Sequence, residues 1–257
     1  GLRVFGQRFA CYEGDVADVG LLERVFTEHG DIDAVIHCAA KIVVPESVEQ
    51  PLAYYDNNVG KAITLLSAME RFGVRRFVLS STASMYEPGP DYMVDETSAV
   101  DPQSPYAASK WLLERVLRDT AATGRLSVMA LRYFNPIGAD PALRTGLQNP
   151  APTHALGKMI SAHAAGEPFT VTGVDWPTRD GSGLRDYIHV WDLARAHVAV
   201  LERFDSVVDG YDVINLGTGR GTTVFELVEA FGEATGTPLE VRTGPARPGD
   251  VVGSASR

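Results

Sequence analysis

Three apolar runs in this chain each end in small or polar residues: DAVIHCAA at 33–40, RRFVLSSTAS at 75–84 and LSVMALRYF at 126–134. Runs of that length and texture predict strands buried on both faces. Between them the apolar spacing changes to that of a helix. Val59, Ala62, Ile63 and Leu66 recur at i, i+3, i+4 and i+7, and Tyr106, Lys110, Leu113 and Leu117 share a second stripe. A third helical face, in HVWDLARAHVAVLE, carries Leu193, Ala196, His197 and Val200. Alternating strand and helix predicts an α/β fold of βαβ units, with a mainly parallel sheet and a ligand crevice at the carboxyl ends of its strands. The polar strand ends at 38–41, 80–84 and 133–136 are therefore where chemistry is expected.

After residue 133 the texture shifts to Pro- and Gly-containing stretches, NPIGADPALRTGLQNPAPTHALG and GVDWPTRDGSGLRDY, which read as loops over a cleft. The expected organisation is a sheet domain over 1–132 and 187–206, with a smaller lobe over 133–186 and 207–257. The glycine cluster GTGRG at 217–221 has Thr222 where G-x-G-x-x-G needs its last glycine, so it reads as a strand-to-helix turn.

Composition narrows the function. The chain of 257 residues is 45% hydrophobic and 22% charged with a formal net charge of -10, and no basic stripe offsets the acidic excess, so binding to nucleic acid is not expected. No apolar run approaches the length of a membrane span, and the first residues lack the apolar core of a signal peptide, which points to the cytoplasm. Cys11 and Cys38 lie in apolar surroundings without metal-ligand spacing and are expected to be buried thiols in a reducing compartment. The histidines form no HxH or HxxxH pair, so no metal site is assigned.

YAASK at 106–110 places a phenol and an ammonium one helical turn apart. In isolation such a pair reads as a packed tyrosine beside a solvated lysine. The strand ending in Ser80, Ser81 and Thr82 lies only a loop upstream, which brings hydroxyls and phenol to one end of the sheet. A neighbouring ammonium would favour the phenolate, whose pKa is about 10 when unperturbed, and so make a usable base.

GD at 14–15, HCAA at 37–40, SSTAS at 80–84, YAASK at 106–110 and RYFNP at 132–136 together resemble the extended short-chain dehydrogenase/reductase family. PES at 45–47, PLAYYDNNV at 51–59, DWPTRDGSGLRDYIHVWDLA at 175–194, NLGTG at 215–219 and RPGD at 247–250 are similar to the branch that epimerises UDP-sugars at C4. The resemblance runs over essentially the whole chain. It implies a Rossmann-like, doubly wound fold with a smaller substrate lobe, NAD as cofactor, a UDP-sugar as substrate and a homodimer. The family's first strand and glycine-rich loop are not among these residues and would lie upstream of Gly1; a polypeptide of this extent alone would be expected to lack a sheet strand and not to hold NAD. The chain also stops short of the family's usual end.

The resemblance also distributes roles. It makes Tyr106 the base at the sugar 4-hydroxyl, Lys110 the residue that binds the nicotinamide ribose and keeps Tyr106 ionised, and Thr82 the hydroxyl that bonds the 4-oxygen. For NAD it implies Asp15, Val16, Cys38, Ala39, Ala40, Asn57 and Phe134, together with Lys41, which stands one place before the family's usual lysine. For the UDP-sugar it implies Asn135, Ala155, Leu156, Thr170, Thr172, Arg185, Arg247 and Asp250. Ser254 stands where the family carries either a tyrosine or a small residue, which implies room for N-acetylated sugars. Two alternatives stay open. A sugar-nucleotide 4,6-dehydratase would carry Asp-Glu after its threonine, where this chain has Ala83 and Ser84. A non-catalytic ligand-binding relative would have no need of Tyr106, Lys110 and Thr82 together.

Overall fold

The computed structural model describes residue 6, residues 8–247 and residues 249–257; the expected sheet domain at 1–132 and the RPGD stretch each include residues outside these. Along the chain run α1 (Val19–Glu28), β1 (Ala34–His37), α2 (Val44–Glu49), α3 (Pro51–Tyr55), a π-helical turn (Asp56–Gly60), α4 (Lys61–Phe72), β2 (Arg76–Thr82), β3 (Met93–Val94) and α5 (Pro105–Ala121). There follow β4 (Ser127–Tyr133), β5 (Asn135–Ile137), α6 (Ala155–Ala165), β6 (Phe169–Thr172), β7 (Leu184–His189), α7 (Val190–Val207), β8 (Tyr211–Leu216), β9 (Gly221–Thr223), α8 (Val224–Thr235), β10 (Val241–Gly244) and β11 (Ala255–Ser256).

The three apolar runs form β1, β2 and β4, which join β8 in a parallel sheet of order β1-β2-β4-β8. Successive strand side chains point to opposite faces, and both faces are covered. Phe77, Leu79, Val128 and Ala130 meet Ala62, Leu66, Leu113 and Leu117 of α4 and α5. Val78, Met129 and Leu131 meet Val200 and Phe204 of α7. Helices on both faces of a parallel sheet make the Rossmann-like arrangement expected from the alternation. Truncating a fully buried residue here, such as Leu113, to alanine would cost about 2–5 kcal/mol.

Local chemistry starts α5 at the required place. Ser104 is its N-cap, with the side chain accepting from Ala107 N at 3.2 Å, and Pro105 occupies the first turn, where its missing N–H costs nothing.

The structure corrects four expectations. Ile63 is 44% exposed, because α4 turns Ala62, Leu65, Leu66 and Met69 inward and its stripe runs one position to the side of Ile63. Cys11 and Cys38 are exposed: Cys11 lies outside any helix or strand, and Cys38 directly follows β1, where the sheet opens at its carboxyl edge. Residues 211–216, placed by sequence in the second lobe, are β8 and pair with β4 in the large sheet. The GTGRG segment leads from β8 to α8 only through β9, a short strand antiparallel to β7. The remaining strands form small sheets, β5-β7-β9, β6-β10 and β3-β11, with a separate apolar cluster of Met159, Phe169, Val171, Leu227 and Phe231.

Candidate active site

β2 delivers Thr82, and α5 delivers Tyr106 and Lys110, to the carboxyl end of the sheet. Thr82 is buried and its hydroxyl donates to Ser84 Oγ at 3.1 Å and accepts from Ser84 N at 3.1 Å. Burial pushes the Tyr106 phenol up from its ordinary pKa, and the polar contact with the Thr82 side chain opposes that rise. The catalytic trio implied by the resemblance is thus brought together. Lys110 Nζ donates to the Ser80 carbonyl at 2.5 Å. The ammonium is drawn to the strand end, and burial lowers its own pKa to about 8, against the raising influence of Cys38 and Glu114.

The residues implied for NAD converge on one side of this trio. Asp15, Val16, Ala39, Ala40, Lys41 and Asn57 line one cavity of about 450 Å³. Asp15 accepts from Ala17 N at 2.9 Å and pairs with Lys61, which lines the same cavity, and these contacts hold its carboxyl below the usual range, Lys61 most strongly. Lys41 Nζ reaches Glu46 at 2.8 Å, while its main-chain N and O are held by buried Asn58 at 2.8 and 3.0 Å. Asn58 also donates to Ser109 Oγ at 2.9 Å, and Ser109 to the Tyr106 carbonyl at 2.7 Å. One amide therefore ties the cavity wall to the helix of Tyr106 and Lys110. Asn58, Ser109 and Lys61 escape a reading by spacing. The available signal is the π-helical turn that carries Asn57 and Asn58, since such turns recur at functional sites. Cys38 borders the trio; the residue as a whole is exposed, but its thiol is partly shielded, which raises it, with Lys110 and Ser80 opposing. Phe134 packs with Ala83, Tyr86 and Val94 behind the Thr82 end.

The residues implied for the UDP-sugar fall in three groups. Arg185 on β7 donates to the carbonyls of Leu184 and Val252, each at 2.7 Å, and of Val251 at 3.3 Å. Burial lowers its pKa, Tyr187 and Asp250 oppose, and Arg247 adds to the fall, so these four side chains form one neighbourhood. Arg247 holds Asp250 with two bonds of 2.9 Å. Asn135 is in register with Tyr187 across β5 and β7. The Tyr187 hydroxyl is buried and has no hydrogen-bond partner among the described residues. Ala155 and Leu156 begin α6 and lean on the apolar cluster there, Tyr187, the neighbour of Arg185, packs against the same cluster, and Thr170 and Thr172 lie on β6 opposite Arg242 and Gly244.

The segment after Asp250 crosses β7 as a strap. Leu184 N donates to Val252 O at 2.8 Å, and Ala255 N to Tyr92 O at 2.9 Å. Gly253 has φ +109°, and a Cβ there would lie 1.8 Å from Leu184 O, so only glycine fits immediately before Ser254. Asp186, fully buried, accepts from Thr218 N and Oγ1, Gly219 N and Ser256 N at 2.6–3.1 Å.

The family model described as "NAD dependent epimerase/dehydratase family" matches residues 4–217. A UDP-glucose 4-epimerase of Neisseria meningitidis serogroup C is 42% identical over 253 residues, 97% of this chain and 74% of that protein. The structure of a UDP-glucose 4-epimerase from Bifidobacterium longum in complex with NAD+ and UDP superposes with a TM-score of 0.90 at 39% identity, over 96% of this chain and 74% of that one. A UDP-Glc/GlcNAc 4-epimerase from Campylobacter jejuni gives 0.79 at 35% identity, over 99% of this chain and 77% of that one.

Proposed function

Since the chain belongs to the NAD dependent epimerase/dehydratase family, we propose that it inverts C4 of a UDP-linked hexose through a transient 4-keto sugar. It is an isomerase whose cofactor is NAD. The observation that carries the proposal is the placement of Thr82, Tyr106 and Lys110 at the strand ends, where Asn58 and Ser109 tie the helix of Tyr106 to the wall of the cavity lined by the cofactor-side residues.

Asp15, Val16, Ala39, Ala40, Lys41 and Asn57 would hold the dinucleotide along the cavity, Cys38, Lys110 and Phe134 would complete its reactive end, and bound NAD supplies a reversible acceptor for hydride. Tyr106 takes the proton from the 4-hydroxyl at its phenolic oxygen and returns it, and Thr82 bonds the same sugar oxygen and shares the transfer. Because burial raises the phenol in this environment, ionisation requires positive charge nearby, which the nicotinamide and Lys110 provide together. Arg185 and Arg247 supply charge to the diphosphate. The unpartnered Tyr187 hydroxyl offers a donor or acceptor at the same place, next to Asn135. Asp250, Ala155, Leu156, Thr170 and Thr172 frame the nucleotide. Firm binding of UDP leaves the sugar free to present either face. Ser254, small and half-buried on the strap, leaves room for an N-acetyl group, a reading that the Campylobacter jejuni relative supports by acting on both sugar types as its name states.

The two lobes divide this work: the large sheet carries the cofactor side, and the small sheets with the strap carry the nucleotide side. Leu52, Ile63, Trp111 and Leu112 stand exposed on α3, α4 and α5, Leu52 at 82%, and these helices form the face of a homodimer. No helix among the described residues is long and apolar enough to cross a membrane; we place the protein in the cytoplasm.

The deciding experiment supplies UDP-galactose to the purified full-length protein with NAD and identifies the product. UDP-glucose supports epimerisation, a 4-keto-6-deoxy sugar would reassign it to dehydration, and unchanged substrate with NAD bound would leave a binding role. Ala83 and Ser84 after Thr82 supply no acid for loss of water, which favours the first outcome.

A further inference from the structure

Glu114 lies on α5 one helical turn beyond Lys110 and is 3% exposed. It accepts from Ser81 Oγ at 2.5 Å, from Arg132 Nε and Nη2 at 3.1 and 2.6 Å, and from the Tyr211 hydroxyl at 2.9 Å. Arg132 in turn donates to the Tyr86 hydroxyl at 2.7 Å, and Tyr86 to Asn215 Oδ1 at 2.7 Å. The proton transfers assigned above do not use this cluster. Stability alone explains it poorly, because replacing a buried ion pair by apolar residues of similar volume is often neutral or stabilising.

Its place in the sheet suggests another role. Ser81, Arg132 and Asn215 are register partners across β2, β4 and β8, one residue short of the strand ends, and Ser81 directly precedes Thr82. Lys110 Nζ holds the Ser80 carbonyl, and Glu114 holds the Ser81 hydroxyl. Two polar ties, one turn apart on the helix, thus meet adjacent residues of one strand. Sliding α5 along β2 would break both together, and Tyr106 rides on the turn before Lys110.

We infer that Glu114, oriented by Arg132 and Tyr211, is a positioning residue that fixes the register of α5 on β2 and so sets the Tyr106 phenol against Thr82. The inference rests on the proposed roles of Tyr106 and Thr82. Ser81→Ala cuts the tie without leaving a buried charge unpaired. In the full protein with NAD, it is expected to lower kcat on UDP-galactose about 10-fold with KM within about twofold, the signature of an interaction needed in the transition state. Ser81→Thr keeps the hydroxyl and is expected to recover most of the loss. Glu114→Gln should lower kcat further; should it fail to fold, the Ser81 variants decide. The 13C resonance of ring-labelled Tyr106, assigned with Tyr106→Phe, should move in Ser81→Ala whether or not turnover is seen, which separates this inference from the epimerase reading, tested by wild-type turnover alone. Wild-type kcat and an unmoved Tyr106 resonance in Ser81→Ala would overturn the inference, as would equal losses in Ser81→Ala and a stably folded Ser81→Thr.

Discussion

Lys110 donates to the carbonyl oxygen of Ser80 at 2.5 Å, so the cation of the Tyr-x-x-x-Lys pair is fastened to the end of β2 and acts on the phenol only from a distance. Burial lowers its pKa to about 8 from the ordinary lysine value of 10.5. The folded protein therefore releases this proton from about pH 8 upward, while the unfolded chain keeps it until about pH 10.5. Over that window the unfolded state binds more protons, and stability rises with pH by up to about 3 kcal/mol. Activity should move the opposite way, because a neutral amine no longer supports the phenolate. The expected outcome is a kcat that declines through about pH 8 while Tm, corrected for other titrations with Lys110→Met, increases. A kcat profile flat across that range would remove the charge of Lys110 from the mechanism.

Tyr106→Phe removes only the phenolic oxygen from a ring whose backbone is held by Ser109 and, through it, by Asn58. NAD should remain bound, since the cavity residues are untouched, and turnover should fall by the roughly 10²–10⁴-fold typical of losing one general base. Absorbance of bound dinucleotide and the rate of UDP-galactose conversion check the two halves separately. Near-normal turnover would assign proton transfer to another group.

Much of this was legible in the chain. The strands at 33–40, 75–84 and 126–134 announce themselves because burial on both faces leaves an unbroken apolar run, and α5 is marked by Ser104-Pro105 at its start. β8 is hard to read as a member of the large sheet because Asp212 and Asn215 interrupt the apolar run of YDVINL and its residues are only half-buried or exposed, as fits its place at one end of the β1-β2-β4-β8 order. The meeting of Thr82 and Tyr106 at one end of the sheet was legible, because the strand that ends in Thr82 and the helix that opens before Tyr106 are both marked in the chain. The site was illegible where a common side chain works by joining distant segments. No sequence spacing distinguishes Asn58, which bridges Lys41 to Ser109, or Glu114, which meets three strands. The orientation of Lys110 was also beyond spacing, since i and i+4 place two residues on one face without saying which acceptor the longer one prefers.

The strap over β7 gives a third prediction. Gly253 has a backbone conformation and a clearance from Leu184 O that no other residue tolerates, and Arg185 grips the carbonyls of Val251 and Val252 just before it. Gly253→Ala must lift the strap and shift Asp250 and Ser254 with it. UDP affinity should weaken at least about 10-fold, with NAD content unchanged because the cofactor residues lie on the other lobe. Calorimetric titration with UDP measures the first and absorbance the second. Arg185→Lys, which keeps charge but loses the fork of donors, should weaken UDP binding in the same direction.

His37 supplies the last. It is the terminal residue of β1, 3% exposed, with its ring 5.6 Å from that of Phe77 and Nε2 without a hydrogen-bond partner among the described residues. Burial, with a smaller contribution from Lys110, lowers its pKa to about 4. An unfolded histidine titrates near 6.5, so the neutral form in the folded state contributes fully above that pH, and the contribution is lost as pH falls toward about 4. The loss amounts to about 3 kcal/mol. His37→Phe keeps an aromatic ring against Phe77 and cannot take up a proton. Denaturant unfolding at about pH 7 and pH 4.5 should show wild type losing more stability between the two than His37→Phe, by a difference of about 2–3 kcal/mol. Parallel losses in both proteins would mean that the acid sensitivity lies with other groups.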